Sequence, residues 1–146
     1  EFHDRKALPT ELKKLFKAAK GQMGFGTTPI IKETERQILE FFDGKRPTFD
    51  LKLALHGSAF TQTVWQMLQT IPAGETVSYG ALAKRLGNPT AARAVARANG
   101  ANQIAVIIPC HRVIGADGQL TGYGGGLWRK QKLIELEMHY RREKSA

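Results

Sequence analysis

Cysteine is almost missing from this sequence: Cys110 is the only one among 146 residues. A single cysteine excludes an intramolecular disulfide and a zinc site built on several cysteines, and it is typical of a reducing compartment. The four histidines, at positions 3, 56, 111 and 139, lack the spacing of metal ligands. We therefore expect a fold with neither a metal nor another cofactor, held together by its hydrophobic core.

Long apolar runs are missing as well, since none approaches the roughly 20 residues that a membrane-spanning helix needs. The first residues also lack the order of a signal peptide, in which positive charge precedes an apolar stretch. We expect a soluble intracellular protein without a membrane partner.

Acidic residues are few, because 13 Asp and Glu stand against 22 Lys and Arg, a formal net charge of +9. Residues 1–55 carry eleven basic and eight acidic residues, and residues 56–146 carry eleven and five. Most of the positive excess therefore lies in the part that contains Cys110. Such a balance suits a polyanionic partner such as nucleic acid, although many small soluble proteins have a basic surface without one.

The first 55 residues predict two helices and a strand, and no residue pattern there points to catalysis. Thr10 is a candidate cap for a first helix that ends at Gly21, and a second helix is expected from about Ile30 to Asp43. Apolar residues then alternate with polar or small ones from Phe49 to Leu55, which is the period of a half-buried strand.

Helices dominate the rest of the chain. Apolar periodicity and capping residues predict helices from Ser58 or Thr61 to Ile71, from Tyr79 to Leu86 with Ser78 as cap, from Ala91 to about Asn99 with Thr90 as cap, and from about Leu127 to Arg141. The two short central helices are joined by Gly87-Asn88-Pro89. This outline fits both a helix-turn-helix and an ordinary helical hairpin.

The helix that begins near Ala91 has almost no large apolar side chains. Alanine occupies five of its positions, and Arg93 and Arg97 lie four residues apart and project from one side. Small side chains suit a close approach to a phosphate backbone, and they suit close packing between helices equally well.

Cys110 follows an apolar run, Ile104 to Ile108, that has the length and β-branched content of a buried strand. Pro109 is expected to end the strand and to place Cys110 on a turn. A free thiol has a pKa of about 8.5, and His111 and Arg112 offer a base and a positive field that favour the thiolate. The alternative is a small buried cysteine with a structural role.

Several short motifs occur together in residues 56–140, and Pro109-Cys110-His111-Arg112-Val113 is the most specific of them. The others are Phe60 with Val64-Trp65, Ile71-Pro72, Gly74 to Tyr79, Ala92 to Val95, Asn102, and Gly122-Tyr123 with Gly125-Gly126. In this combination the chain resembles the O6-alkylguanine-DNA alkyltransferases, which are suicide DNA-repair proteins. Residues 1–55 resemble the family's N-terminal lobe less closely, and its early strands are absent from the sequence.

The resemblance implies an α/β fold that is mainly helical in its C-terminal part. We expect a small, shortened N-terminal α/β lobe over residues 1–55. A C-terminal helical domain should follow over residues 56–146, with a helix-turn-helix and a short strand that leads to the active-site cysteine.

The resemblance also implies the chemistry. Cys110 would attack the alkyl carbon on O6 of guanine, or on O4 of thymine, and keep the group as a thioether, which inactivates the protein. His111 would act as a base through a water, with Glu137 orienting it, and Tyr79 would give a proton to the departing base. Asn102 matches the hinge asparagine of the family motif.

The substrate pocket implied by the family pattern combines side chains and main-chain groups. Tyr123 and Trp65 would wall it, the backbone N–H of Gly124 would approach O6, and the carbonyls of Cys110 and Val113 would read the guanine amino group. Family members often carry serine where this chain has Gly124, which bears on substrate preference if the hydroxyl matters.

Double-stranded DNA is the partner that the resemblance implies. A monomer would dock its helix-turn-helix in the minor groove, and Arg93 would fill the space of a guanine flipped out of the stack. The further residues expected at the DNA are Thr90, Ala91, Ala92, Ala96 and Arg97. In a bacterium the protein would lie in the cytoplasm with the nucleoid, and in a eukaryote it would lie in the nucleus.

Two other functions fit parts of the sequence. One is a damage sensor of the alkyltransferase-like kind, which holds alkylguanine without reacting; such proteins lack the cysteine, so Cys110 counts against it. The other is a cysteine hydrolase that uses Cys110 and His111, which predicts turnover without DNA.

Overall fold

The computed structural model describes residues 1–145, with side chains up to Arg142, and this part of the chain is mostly helical. It contains α1 (Leu8–Ala18), α2 (Pro29–Phe42), α3 (Ala59–Gln69), α4 (Tyr79–Arg85), α5 (Ala92–Gly100) and α6 (Leu127–Ser145). Two 3-10 turns, Pro89–Ala91 and Cys110–Arg112, and two short strands, β1 (Val77–Ser78) and β2 (Val113–Ile114), complete its elements.

The two strands form a small parallel pair in which Val77 lies opposite Val113 and Ser78 opposite Ile114. Ser78 also caps α4, because its hydroxyl oxygen accepts a hydrogen bond of 3.1 Å from the backbone N–H of Ala81. The strand pair therefore fixes the start of α4, and with it Tyr79, beside the end of the cysteine turn.

The main core lies between α3, α4, α5 and the cysteine turn. It includes Val64, Trp65, Leu68, Leu82, Val95, Ile108 and Val113. The indole Nε1–H of Trp65 donates to the carbonyl oxygen of Ala98 at 2.8 Å, so the contact between α3 and α5 has a directional bond as well as apolar packing. A second, smaller cluster joins α2 to α6 through Phe41 and Tyr140.

The predicted strand over Phe49 to Leu55 is wrong, and the N-terminal lobe is therefore helical instead of α/β, because residues 1–55 form two helices and no strand. The predicted alternation of exposure is present in this stretch. Its main chain has no partner strand; instead, the side-chain amide of Gln37 donates to the carbonyl of Asp50 at 3.0 Å and accepts from its N–H at 2.9 Å.

The predicted strand over Ile104 to Ile108 is also wrong. The segment is a tight turn in which the N–H of Ile108 donates to the carbonyl of Ile104, and Val106 takes a positive φ of 71°. Burial was predicted correctly, since Ile108 is fully buried. The side chain of Asn102 binds main-chain groups of this turn, which replaces the pairing a strand would need.

The helix positions agree with the sequence pattern, but two of the predicted caps are wrong. Thr10 lies inside α1, whose N-cap is Ala7. Thr90 lies in the 3-10 turn that precedes α5, where its hydroxyl contacts the side-chain oxygen of Asn88 at 2.9 Å. Ser58 does cap α3, as predicted.

No helix in the described part of the chain combines the length and the apolar composition that crossing a membrane requires.

Candidate active site

Cys110 begins the 3-10 turn between the Ile104–Ile108 turn and β2, and its side chain is buried. The side-chain amide of Asn102 donates to Cys110 Sγ at 3.1 Å and to the carbonyl of Ile108 at 2.8 Å. Asn99, at the end of α5, donates to the carbonyl of Cys110 at 3.3 Å. The two asparagines thus fix the sulfur and the main chain of the turn to the C-terminal end of the alanine-rich helix.

The thiol has a raised pKa in this closed environment. Burial is the main cause and raises the pKa of Cys110 to about 11, while the hydrogen bond from Asn102 acts in the opposite direction. The sulfur is therefore a neutral thiol at pH 7 until its surroundings change or a base takes its proton.

His111 and Glu137 are brought together from positions 26 residues apart. His111 Nε2 lies 2.9 Å from Glu137 Oε1, and both side chains are almost completely buried. Glu137 Oε2 also accepts from the backbone N–H of Gly74 at 3.1 Å. The helix that carries Glu137 is thereby attached to the turn that carries the cysteine.

Arg112 is the third member of this cluster. Its Nε donates to Glu137 Oε2 at 2.9 Å and its Nη2 to Oε1 at 2.7 Å, and its Nη1 donates to the carbonyl oxygen of Ile71. Burial by itself would raise the pKa of Glu137, but the hydrogen bonds from His111 and Arg112 outweigh it and lower that pKa to about 2. The carboxylate is therefore ionised.

The proton of His111 has one defined place. Because Glu137 is ionised, it can only accept, so Nε2 of His111 carries the proton and donates. Nδ1 is buried and has no hydrogen-bond partner. The pKa of His111 is lowered, mainly by burial and also by the positive charges of Arg112 and Lys130, although the contact with Glu137 acts in the opposite direction. The imidazole is thus neutral, with a lone pair on Nδ1 that can accept a proton.

Tyr79 lies at the start of α4 and shares an acceptor with Lys130 of α6. The Tyr79 hydroxyl donates to the carbonyl of Thr121 at 3.3 Å, and Lys130 Nζ donates to the same oxygen at 2.7 Å. Lys130 is fully buried, and this burial lowers its pKa to about 8. Burial raises the pKa of Tyr79. The tyrosine is therefore a neutral proton donor at pH 7.

The N-terminal residues cover the cysteine. Arg5 is buried and donates to the carbonyls of Gly100 at 2.9 Å and Asn102 at 2.8 Å, and it pairs with Glu11 at 2.7 Å. The cavity that remains beside Cys110 measures about 10 Å³. A cavity of this size holds about one water molecule at most, so a purine cannot enter while Arg5 stays in place.

The absence of a side chain at Gly124 leaves room for Arg5. A Cβ at position 124 would lie 2.7 Å from Cζ of Arg5, which is closer than non-bonded carbon atoms approach. A serine at this position would therefore require Arg5 to shift.

The other predicted pocket residues lie close to the cysteine turn. Tyr123 lines the cavity beside Cys110, Val113 is fully buried in β2, and Trp65 packs in the main core with its nitrogen bonded to α5. Trp65 is therefore placed behind the cysteine turn as part of the core, without lining that cavity.

The predicted DNA-binding residues lie in α5 and in the 3-10 turn that precedes it. Arg93 and Arg97 are exposed, and so is Thr90, whereas Ala91, Ala92 and Ala96 are partly buried. Val95 and Ala98, on the opposite side of the helix, are buried in the core. One face of α5 thus packs inward while the two arginines extend into solvent.

Sequence reasoning missed Arg5, Asn99, Lys130 and the position of Arg112 beside Glu137. A pattern could have indicated Lys130, since a lysine in a helix that follows a glycine-rich loop is a plausible loop anchor. Arg5 gave no signal, because the two carbonyls it binds beside the cysteine turn lie 95 and 97 residues away in sequence. In the described residues, no group of three or more His, Cys, Asp or Glu side chains is placed to hold a metal ion.

The fold and the cysteine site define a DNA-binding domain of the DNA alkyltransferase class. The family model of the 6-O-methylguanine DNA methyltransferase DNA-binding domain matches residues 59–139, and the chain belongs to this family.

Individual relatives agree with this assignment. A methylated-DNA–protein-cysteine methyltransferase of Mycolicibacterium paratuberculosis is 58% identical over 104 residues, which are 71% of this chain and 63% of that protein. The chain therefore spans less than two thirds of the length of this relative.

Solved structures show the same fold. The crystal structure of Mycobacterium tuberculosis OGT in complex with DNA matches with a TM-score of 0.74 and 54% identity, over 75% of this chain and 68% of that one. The O6-methylguanine-DNA methyltransferase of Pyrococcus kodakaraensis matches with a TM-score of 0.70 and 26% identity, over 93% of this chain and 82% of that one.

Proposed function

We propose that this chain repairs DNA by transferring an alkyl group from O6 of guanine to Cys110, once per molecule. The observation that carries the proposal is the buried cluster of Cys110, Asn102, His111 and Glu137. It combines a thiol, a donor to its sulfur and a neutral, oriented imidazole. The family assignment supplies the substrate class, and the basic face of α5 suits a DNA partner.

The first step is deprotonation of the thiol. His111 Nδ1 takes the proton of Cys110 through a bridging water, and Glu137 stabilises the imidazolium that results. The hydrogen bond from Asn102 supports the negative charge on sulfur. A thiolate is a soft, strong nucleophile and suits attack on a saturated carbon.

Alkyl transfer then breaks the bond between the alkyl carbon and O6 and forms a carbon–sulfur bond at Cys110. The electron pair of the broken bond stays with guanine, which takes a proton from the Tyr79 hydroxyl and leaves as neutral guanine. The proton held by His111 returns to Tyr79 through solvent, so charge and protons balance. The thioether resists hydrolysis, because attack on its saturated carbon would have to expel a thiolate, so each molecule reacts once.

DNA docks through α4 and α5, which act as a helix-turn-helix in the minor groove, with the protein as a monomer. Flipping the nucleotide out of the stack costs a few kcal/mol. Arg93 then enters the stack in its place. Alkyl groups on O4 of thymine form a second class of substrates for the same pocket.

Access to the sulfur requires movement of the N-terminal residues. Arg5 and Phe2 lie against Gly124 and Gly125, where the flipped base has to enter. Their displacement also lets water reach the site, which lowers the thiol pKa from its closed value of about 11.

The test is incubation of the protein with duplex DNA that carries a labelled methyl group on O6 of guanine. We expect one label per protein molecule, and Cys110→Ala should abolish transfer. A second assay, with duplex DNA that carries labelled O4-methylthymine, tests the second substrate class.

Other outcomes identify the other functions. Lesion that is bound but unchanged by a protein with an intact thiol supports a damage sensor, and more than one turnover per molecule supports a hydrolase. Either result overturns the proposal.

A further inference from the structure

Arg112 is buried, charged and without a task in the reaction described above. It is 5% exposed, and its guanidinium nitrogens donate to Glu137 and to the carbonyl of Ile71. The side chain therefore acts inside the cluster and has no route to DNA. Its position directly after His111 places a permanent positive charge beside the base of the reaction.

The charge balance of the cluster gives Arg112 a function. Glu137 and a neutral His111 alone would leave one negative charge buried, which is costly. Protonation of His111 would cancel that charge, and the imidazole would then have no lone pair with which to accept a proton. With Arg112 present, the cluster of Arg112, His111 and Glu137 is neutral while His111 is neutral.

Geometry adds to the charge argument. Arg112 binds both carboxylate oxygens of Glu137, and the N–H of Gly74 binds Oε2. His111 Nε2 is left with Oε1 as its acceptor, at 2.9 Å. The carboxylate cannot rotate away without breaking several bonds, so the imidazole ring is held with Nδ1 on its opposite side.

The other charged or titratable groups near His111 support the same state. Lys130 of α6 carries positive charge and disfavours an imidazolium, and Glu137 of the same helix favours one. Cys110 precedes His111 and is a neutral thiol in the closed site. Helix α3, which packs against the same turn, contains no titratable residue.

We propose that Arg112 is a positioning residue which keeps His111 neutral and its proton on Nε2, so that Nδ1 is the base that accepts the thiol proton. The inference rests on the proposed alkyl transfer for its meaning. Its central claim concerns the imidazole alone and can be tested without DNA.

The test is nitrogen NMR of protein with ¹⁵N-labelled histidine, with the His111 signals assigned through His111→Asn. In the unsubstituted protein at pH 7 we expect a neutral imidazole with the proton on Nε2. A protonated ring, or the proton on Nδ1, overturns the proposal before any arginine variant is made.

In Arg112→Met, the protonation midpoint of His111 should rise by about one pH unit or more, because an opposite charge without a counter-ion shifts a neighbouring pKa by 1–3 units. An unchanged midpoint overturns the proposal. Arg36→Met is the matched control, since Arg36 also pairs with two carboxylates, Glu33 and Glu40, but at the surface of α2.

Loss of the buried cation can also prevent folding, and two further variants cover that case. Arg112→Met combined with Glu137→Gln removes both charges, and His111 should then stay neutral as in the unsubstituted protein. Arg112→Lys keeps the charge and should keep the midpoint. A raised midpoint in either variant contradicts the charge argument.

The alkyl-transfer rate gives a second readout. Arg112→Met should slow transfer about fivefold or more at one pH unit below the raised midpoint of His111, and much less near pH 8.5, where His111 has lost its proton again. A uniform loss at all pH values would indicate a structural role only. If no alkyl transfer occurs in any variant, the proposed function fails, while the titration of His111 still decides the role of Arg112.

Discussion

The sulfur of Cys110 depends most directly on Asn102. The asparagine amide reaches Sγ, the carbonyl of Ile108 and, through its oxygen, the N–H of Ile104. It therefore shapes the turn and supports the thiolate at the same time.

Replacement of Asn102 by leucine of similar size should raise the thiol pKa above its closed value and reduce reactivity. We expect about a tenfold slower reaction of Cys110 with a small alkylating agent at pH 8, since one lost charge-assisted hydrogen bond corresponds to about 1.4 kcal/mol or more. The rate constant against pH, measured by mass spectrometry, checks this. Gln103→Leu is the control, and an equal loss there would remove the sulfur contact as the cause.

At the residue scale the sequence predicted which residues lie together at the cysteine better than it predicted what surrounds them. The motif around Cys110 singled out Cys110 and His111, and the family pattern added Glu137 and Asn102, which the structure places beside them. The catalytic roles of these residues stay predictions. Arg5 was missed because the carbonyls it binds lie far away in sequence, and Lys130 because its partner is a main-chain carbonyl in a loop. Such contacts leave no periodic pattern in a sequence.

At the scale of elements, helices were predictable and strands were not. The capping serines and apolar periodicity located α3 and α4, because these signals are local. The runs from Phe49 to Leu55 and from Ile104 to Ile108 have the composition of strands, but a strand also needs a partner. Side chains of Gln37 and Asn102 bind these main chains instead.

The two faces of α5 have different surroundings. Val95 and Ala98 bury the inner face, Trp65 ties it to α3, and Arg93 extends outward near the start of the helix. A change on the outer face should therefore affect the encounter with DNA without disturbing the cysteine turn.

Arg93→Ala should slow repair of O6-methylguanine in duplex DNA by about tenfold or more, while the reaction with free O6-benzylguanine changes little. Base flipping costs a few kcal/mol, and a free base needs no flipping because it is not part of a duplex. Single-turnover rates on the two substrates provide the comparison, with Arg36→Ala as a surface control on α2. Equal losses on both substrates would contradict a role in flipping.

At the scale of the whole molecule, the buried cluster links stability to pH. The carboxyl of Glu137 has its pKa lowered from 4.5 to about 2, so its contribution to stability is complete above pH 4.5 and is lost as the pH falls towards 2. The pKa of His111 is lowered from 6.5, so below pH 6.5 the unfolded chain takes up a proton that the folded chain does not. Both groups destabilise the fold on acidification, in successive pH ranges.

We therefore expect the urea midpoint of unfolding to be nearly constant near pH 7, to fall from pH 6.5 downward, and to fall further below pH 4.5. The shift of Glu137 corresponds to a loss on the order of 3 kcal/mol by pH 2, since one pKa unit is about 1.4 kcal/mol. In His111→Gln, the urea midpoint should depend less on pH between pH 6.5 and 5. His56→Gln, a change at an exposed position, should keep the pH dependence of the unsubstituted protein. A midpoint that rises on acidification through pH 6 would mean that His111 gains a proton on folding, and the neutral imidazole would then have to be abandoned as the base.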